Sequence, residues 1–244
     1  MNRFSKTLLA GSMLTFSAAI IAQDYPNKPI RLVNPYAPGG STDLVVRTIG
    51  QKLTEAWGQP VVIENRPGAA SNIGNELVAK AAPDGYTLLN ATSSLAINVS
   101  LYTRQGYDPV KDLAPVITLT QAPNVLAVHP SLPVKSVKEL IELARAKPGQ
   151  LSYGSSGSGA TNHLALELFK SMARVNLVHV PYKGGGPAMT DLMGGQIQVL
   201  FNPAVSLMPH HKSGRMRVLA AGTTQRVPGL DLPTVAEDGL PGFE

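Results

Sequence analysis

The sequence predicts an α/β protein made of two units, each a mostly parallel sheet flanked by helices. Three observations predict it. Short β-branched runs alternate with stretches of helical period, as strand–helix–strand units require. That alternation runs through three strands and then restarts. Gly- and Ser-rich segments stand at strand-to-helix junctions in both halves. The composition permits a core, since 43% of the 244 residues are hydrophobic, too many for a disordered chain. The 20 Pro and 23 Gly exceed the usual share without reaching low-complexity levels.

In the first unit, Ile30-Arg31-Leu32-Val33-Asn34 reads as a strand ended by Pro35. Val45, Ile49, Leu53 and Trp57 recur every fourth residue and predict one helix face. Residues 60–64 (PVVIE) form the second strand. Ile73, Leu77, Val78 and Ala81 mark a second helix, stopped by Pro83-Asp84-Gly85, and residues 86–90 form the third strand. In the second unit, residues 116–120 and 125–129 read as strands on either side of Pro123. Ser136 and Glu139 make a capping box for a helix over 137–146. A strand at 151–153 and a helix through Leu164, Leu168 and Met172 follow. Strands at 177–180, 197–201 and 217–221 complete the unit, with helical pieces near Met189 and Leu207.

The N-terminus has the pattern of a secretory signal peptide. Arg3 and Lys6 precede an uncharged apolar stretch over residues 7–21, and cleavage is expected after Ala22. That stretch is shorter than the ~20 residues that span a bilayer. The net charge of +5 includes those two basic residues, and no Lys/Arg cluster suggests a nucleic-acid partner. The absence of cysteine excludes disulfides, thiolate metal sites and a Cys nucleophile. His129, His163, His179, His210 and His211 have no metal-ligand spacing, so no metal is expected. His163, close to a candidate loop, is the one placed to reach a ligand.

Three loops could carry chemistry: residues 36–43, 153–162 and 182–187. Glycine lets a backbone approach a ligand, and free N–H groups at a helix start attract an anion. Any one of these loops could be an ordinary βα turn, but three of them, rich in hydroxyls, favour an anion site. The nucleotide motifs fail on spacing: Gly157-Ser158-Gly159-Ala160-Thr161 leads to Asn162, and Lys183 precedes its glycines. No cofactor is expected. Asp43 either orders its loop from the first helical turn or meets an ammonium or hydroxyl of a ligand. Lys183 is either solvated or draws an anion inward. Tyr36 and Tyr182 are packing residues or ligand walls, and Asn202 stands just past a strand. Ser156 would be the nucleophile of an alternative reading, a secreted serine hydrolase, although the G-x-S-x-G elbow is absent.

Several segments resemble the Bug (TctC-like) family, the extracytoplasmic solute receptors of tripartite tricarboxylate transporters. They are Tyr36-Ala37-Pro38-Gly39-Gly40-Ser41-Thr42-Asp43, Val62-Ile63-Glu64-Asn65-Arg66-Pro67-Gly68-Ala69, Pro83-Asp84-Gly85-Tyr86-Thr87-Leu88, Tyr182-Lys183-Gly184 and Leu232-Pro233-Thr234-Val235-Ala236-Glu237. The resemblance runs from Tyr25 to Glu244. It implies a two-domain periplasmic binding protein of the type II-like Venus flytrap form, without catalysis, that closes on a dicarboxylate, tricarboxylate, amino acid or aromatic acid. Carried over, the ligand contacts are Pro38, Gly39, Gly40, Ser41, Thr42 and Asp43 on one side and Ser156, Gly157 and Thr161 on the other. Thr92 and Ser93 are added contacts. The implied partners are the large and small membrane subunits of the transporter, with the receptor itself a monomer. Two departures stand out. Asn202 occupies a position where members often carry Asp. Members also continue past Pro241-Gly242-Phe243-Glu244, with a segment that returns to complete the first domain. On that pattern, residues 24–121 plus 222–244 form domain 1, residues 122–221 form domain 2, and a truncated fragment that binds nothing is a further alternative.

Overall fold

A computed structural model describes residues 25–244. The expected leader, residues 1–22, lies outside the described residues. The first lobe is a three-stranded parallel sheet in the order β2-β1-β3, with β1 (Ile30–Asn34) between β2 (Val61–Asn65) and β3 (Thr87–Leu89). Ile30, Leu32 and Val33 of β1 are buried because helices cover the faces of a parallel sheet. Helix α1 (Ser41–Trp57) links β1 to β2. Its most buried positions are Asp43, Val46 and Gly50, with Trp57 38% exposed. The helix therefore seats one residue round from the stripe at 45, 49, 53 and 57, because Gly50 admits the Ile63 side chain of β2. A short 3-10 turn (Ala69–Ser71) leads into α2 (Asn72–Ala79). After β3 comes α3 (Ser94–Leu101), a helix absent from the sequence reading.

The second lobe is a five-stranded sheet in the order β6-β5-β7-β4-β8. Its strands are β4 (Asn124–Val128), β5 (Ser152–Ser155), β6 (Val178–Pro181), β7 (Val199–Pro203) and β8 (Arg217–Ala221). Only β4 is antiparallel to its neighbours. Four helices flank it: α4 (Val137–Ala146), α5 (Thr161–Ala173), α6 (Gly185–Met193) and α7 (Ala204–Lys212). The predicted capping box is half formed. The Ser136 hydroxyl accepts from the Glu139 amide at 3.1 Å, but the Glu139 carboxylate accepts from the Lys135 amide at 2.6 Å.

Two expectations are corrected. Residues 116–120 form no strand, and Val116 and Ile117 are 82% and 76% exposed. β-branched composition favours extended backbone, but a strand also needs a partner ladder, and none of the described residues supplies one. The segment 222–244, assigned by sequence to the first domain, packs on the second lobe. Val235, Leu240 and Phe243 enter the core formed by α4, α5 and the sheet. The Phe243 ring stacks on Phe201 with centroids 5.8 Å apart, and the Asp238 carboxylate accepts from the Val137 amide at 2.6 Å. Burial of these large apolar side chains outweighs the freedom of a returning chain.

Candidate functional site

The two lobes meet at the carboxyl ends of their strands, where α1, α5 and α6 begin. None of these three helix starts has a side-chain cap, unlike α4. Their first N–H groups therefore carry unspent donor capacity. The lobes touch through few, specific bonds. The Ala37 amide donates to the Lys183 carbonyl at 2.8 Å, Ser93 Oγ pairs with Thr161 Oγ1 at 2.7 Å, and Tyr102 donates to the Ser158 carbonyl at 3.1 Å. Backbone meets backbone at residues 38–40 and 184–186. A Cβ on Gly186 would stand 2.5 Å from the Pro38 carbonyl oxygen, so only glycine fits there.

Between the lobes is a half-open cavity of about 240 Å³. The first lobe contributes Pro35, Tyr36, residues 68–71 and Tyr102; the second contributes residues 156–158 and 181–183. Of the residues expected from sequence, Tyr36, Ser156, Gly157, Tyr182 and Lys183 stand on this lining. Gly39, Gly40, Ser41, Thr42 and Asp43 do not. Gly40 instead faces the Gly186 amide, and a Cβ on it would lie 3.2 Å away. Asn202 is 2% exposed beneath Gly185 and donates to Ser206 Oγ at 3.1 Å. Thr92 bonds the Tyr36 hydroxyl at 2.9 Å.

Asp43 orders its own loop. One carboxylate oxygen accepts from the Gly39 amide at 3.1 Å and Arg47 Nε at 2.9 Å, and the other from Asn65 Nδ2 at 2.9 Å. Burial pushes its pKa up, but the hydrogen bonds from Arg47, Asn65 and Gly39 outweigh burial and hold it below the usual carboxylate range. Tyr182 donates to Asp191 at 2.6 Å, and burial followed by that carboxylate raises its pKa, keeping the phenol protonated.

The loop after β5 is tied down from behind. The Ser156 amide donates to Asn162 Oδ1 at 3.0 Å, the Gly157 amide to Ser155 Oγ at 3.2 Å, and the Gly159 amide to His163 Nδ1 at 3.2 Å. Ser155 Oγ also lies 2.7 Å from His179 Nε2, and the His163 and His179 rings sit 4.3 Å apart. Burial lowers the pKa of both, that of His179 to about 4. Both rings are therefore neutral at pH 7, as the Gly159 bond to His163 Nδ1 requires. The Ser156 hydroxyl accepts from Asn162 Nδ2 at 3.0 Å, and an amide cannot take its proton. The serine paired with a histidine is Ser155, which is 0% exposed.

One part of the lining escaped the sequence reading. Ala69, Ala70 and Ser71 all have positive φ, an arrangement that costs about 1–2 kcal/mol per residue. A cluster of asparagines holds it. Asn98 Nδ2 donates to the Ala70 carbonyl at 2.8 Å, and Asn75 Nδ2 donates to Ser71 Oγ at 3.1 Å. Gly68 before the turn and the density of Asn at 72, 75 and 98 were the available signals.

Two α/β lobes closing on a cavity, with uncapped helix starts at the junction, define a two-lobed solute-binding protein. The family model described as the tripartite tricarboxylate transporter family receptor matches residues 45–244. BugT of Bordetella pertussis is 38% identical over 230 residues, covering 93% of this chain and 71% of that protein. The R. palustris Rpa4515 structure, solved with adipate, is 43% identical with a TM-score of 0.87, covering 91% of this chain and 75% of that one. MatC from Rhodopseudomonas palustris, with bound malate, is 31% identical with a TM-score of 0.81, covering 90% and 76%. The chain belongs to the tripartite tricarboxylate transporter receptor family, among the Bug proteins, and it is a periplasmic solute-binding protein. It spans about two thirds of the length of the curated relatives it matches.

Proposed function

We propose that this receptor captures a small carboxylated solute in the interlobe cavity and hands it to the membrane subunits of a tripartite transporter. The observation that carries this is the cavity itself: about 240 Å³, set between the two lobes and bordered by Lys183. An ammonium favours an anion. The adipate of Rpa4515 and the malate of MatC support the same solute class.

In this reading Ser156, Gly157, Tyr36, Tyr182 and Lys183 face the solute directly. Gly39, Gly40, Ser41, Thr42, Asp43 and Asn202 shape the closed interface around it. Thr92 supports Tyr36, and the Ser93–Thr161 bond latches the lobes. The protein acts as a monomer, without catalysis, after its leader is removed in export. Titration calorimetry on the folded chain with adipate and malate tests this. The expected result is saturable binding with Kd near or below about 10 μM, about −7 kcal/mol. Absence of heat with either acid, and with a wider carboxylate panel, would sink it.

A further inference from the structure

The chemistry of the lining narrows the solute, on the reading that the cavity holds a carboxylate. Tyr36, Tyr102 and Tyr182 form much of the wall, and each hydroxyl is already engaged. Tyr36 bonds Ser94 and Thr92, Tyr102 donates to the Ser158 carbonyl, and Tyr182 donates to Asp191. Their protons are therefore spent within the protein, and they offer the cavity ring surface rather than further donors. The charges are one-sided as well. Among the described residues, Lys183 is the one charged side chain on the lining, and no carboxylate stands there. Asp43 has both oxygens occupied by Gly39, Arg47 and Asn65, and Asp191 is engaged by Tyr182.

We infer that the solute is a carboxylate that lacks an ammonium group and carries a non-polar alkyl or aromatic body, so that α-amino acids are rejected. A carboxylate entering this cavity meets the Lys183 ammonium, and its hydrocarbon part meets aromatic and proline surface. The ammonium of an amino acid would leave water for a site with no anionic partner and a like charge nearby, which is unfavourable. Selectivity of this kind works by leaving the wrong solute unpaired.

Calorimetry with matched pairs tests it: glutarate against glutamate, adipate against 2-aminoadipate, and 3-phenylpropionate against phenylalanine. The acid without the amino group is expected to bind at least tenfold tighter in each pair. Equal or tighter binding of the amino acids overturns this inference and leaves carboxylate capture standing, whereas silence from all six overturns both. Ser158 supplies a second reading, because it is exposed on the lining and its hydroxyl makes no hydrogen bond among the described residues. Ser158→Asp places a carboxylate there and is expected to move the glutarate-to-glutamate affinity ratio at least fivefold toward glutamate. An unchanged ratio in the folded variant would show that the lining does not set this selectivity.

Discussion

Among single residues, His179 makes the most definite claim. Its ring stacks on Tyr153 at 4.8 Å and 19°, faces His163, and bonds Ser155. Burial lowers its pKa first, the neighbouring His163 and Lys170 charges lower it further, and Glu167 opposes them, leaving it at about 4. The unfolded ring titrates near 6.5, so between these values the unfolded chain binds the extra proton. The contribution is complete above about pH 6.5 and is lost as pH falls toward about 4. After allowance for the solvent the ring still meets, the loss is about 1–2 kcal/mol. Thermal melts across this window should show a falling Tm with a steeper slope than His179→Gln shows. Parallel slopes would remove His179 as the source. Asp43 adds a loss of the same sign at lower pH, because its carboxylate is held below the usual range.

At the scale of elements, the starts of α1 and α6 bring the two lobes together backbone to backbone. The Pro38 carbonyl and the Gly186 backbone approach so closely that a side chain on Gly186 must separate them. Gly186→Val should keep its far-UV CD spectrum, since the residue lies in the first turn of α6, and lose solute affinity by more than tenfold. Unchanged affinity would mean that the lobes bind without meeting at this point. Gly40→Val, with a Cβ 3.2 Å from the Gly186 amide, should act in the same direction more mildly. Element assignments were largely legible from periodicity, and β1, α4 and β8 fall where the sequence placed them. Faces were less legible. Leu164 and Leu168 of α5 are 38% and 39% exposed, while Leu166 and Phe169 are buried. Two apolar stripes compete on that helix, and the neighbouring sheet chooses between them.

For the whole molecule, the C-terminal segment is part of the second lobe's core. Phe243, 3% exposed, lies between Phe169 and Phe201. Phe243→Ala should lower stability by about 3–4 kcal/mol through lost burial and the cavity left behind. Urea unfolding checks this, with a lower midpoint and an unchanged slope. A shift below about 1 kcal/mol would mean that the segment is not anchored.

The sequence by itself determined the α/β class, the two units, most of the strands and helices, and the family. These depend on local periodicity and on motifs that survive in linear order. It also marked Tyr36, Ser156, Gly157, Tyr182 and Lys183, which the fold gathers on one cavity. Tertiary structure alone decided that Gly39, Gly40 and Asp43 build the closure contact and the loop rather than the lining, because Arg47 and Asn65 reach Asp43 from elsewhere in the lobe. It alone put residues 69–71 on the wall, in a backbone conformation that ordinary propensity disfavours and Asn98 and Asn75 sustain. It also left residues 116–120 unpaired and moved 222–244 to the second lobe. Strand pairing, the buried face of a helix and the docking of a tail are settled by partners distant in sequence, and no local pattern encodes where those partners lie.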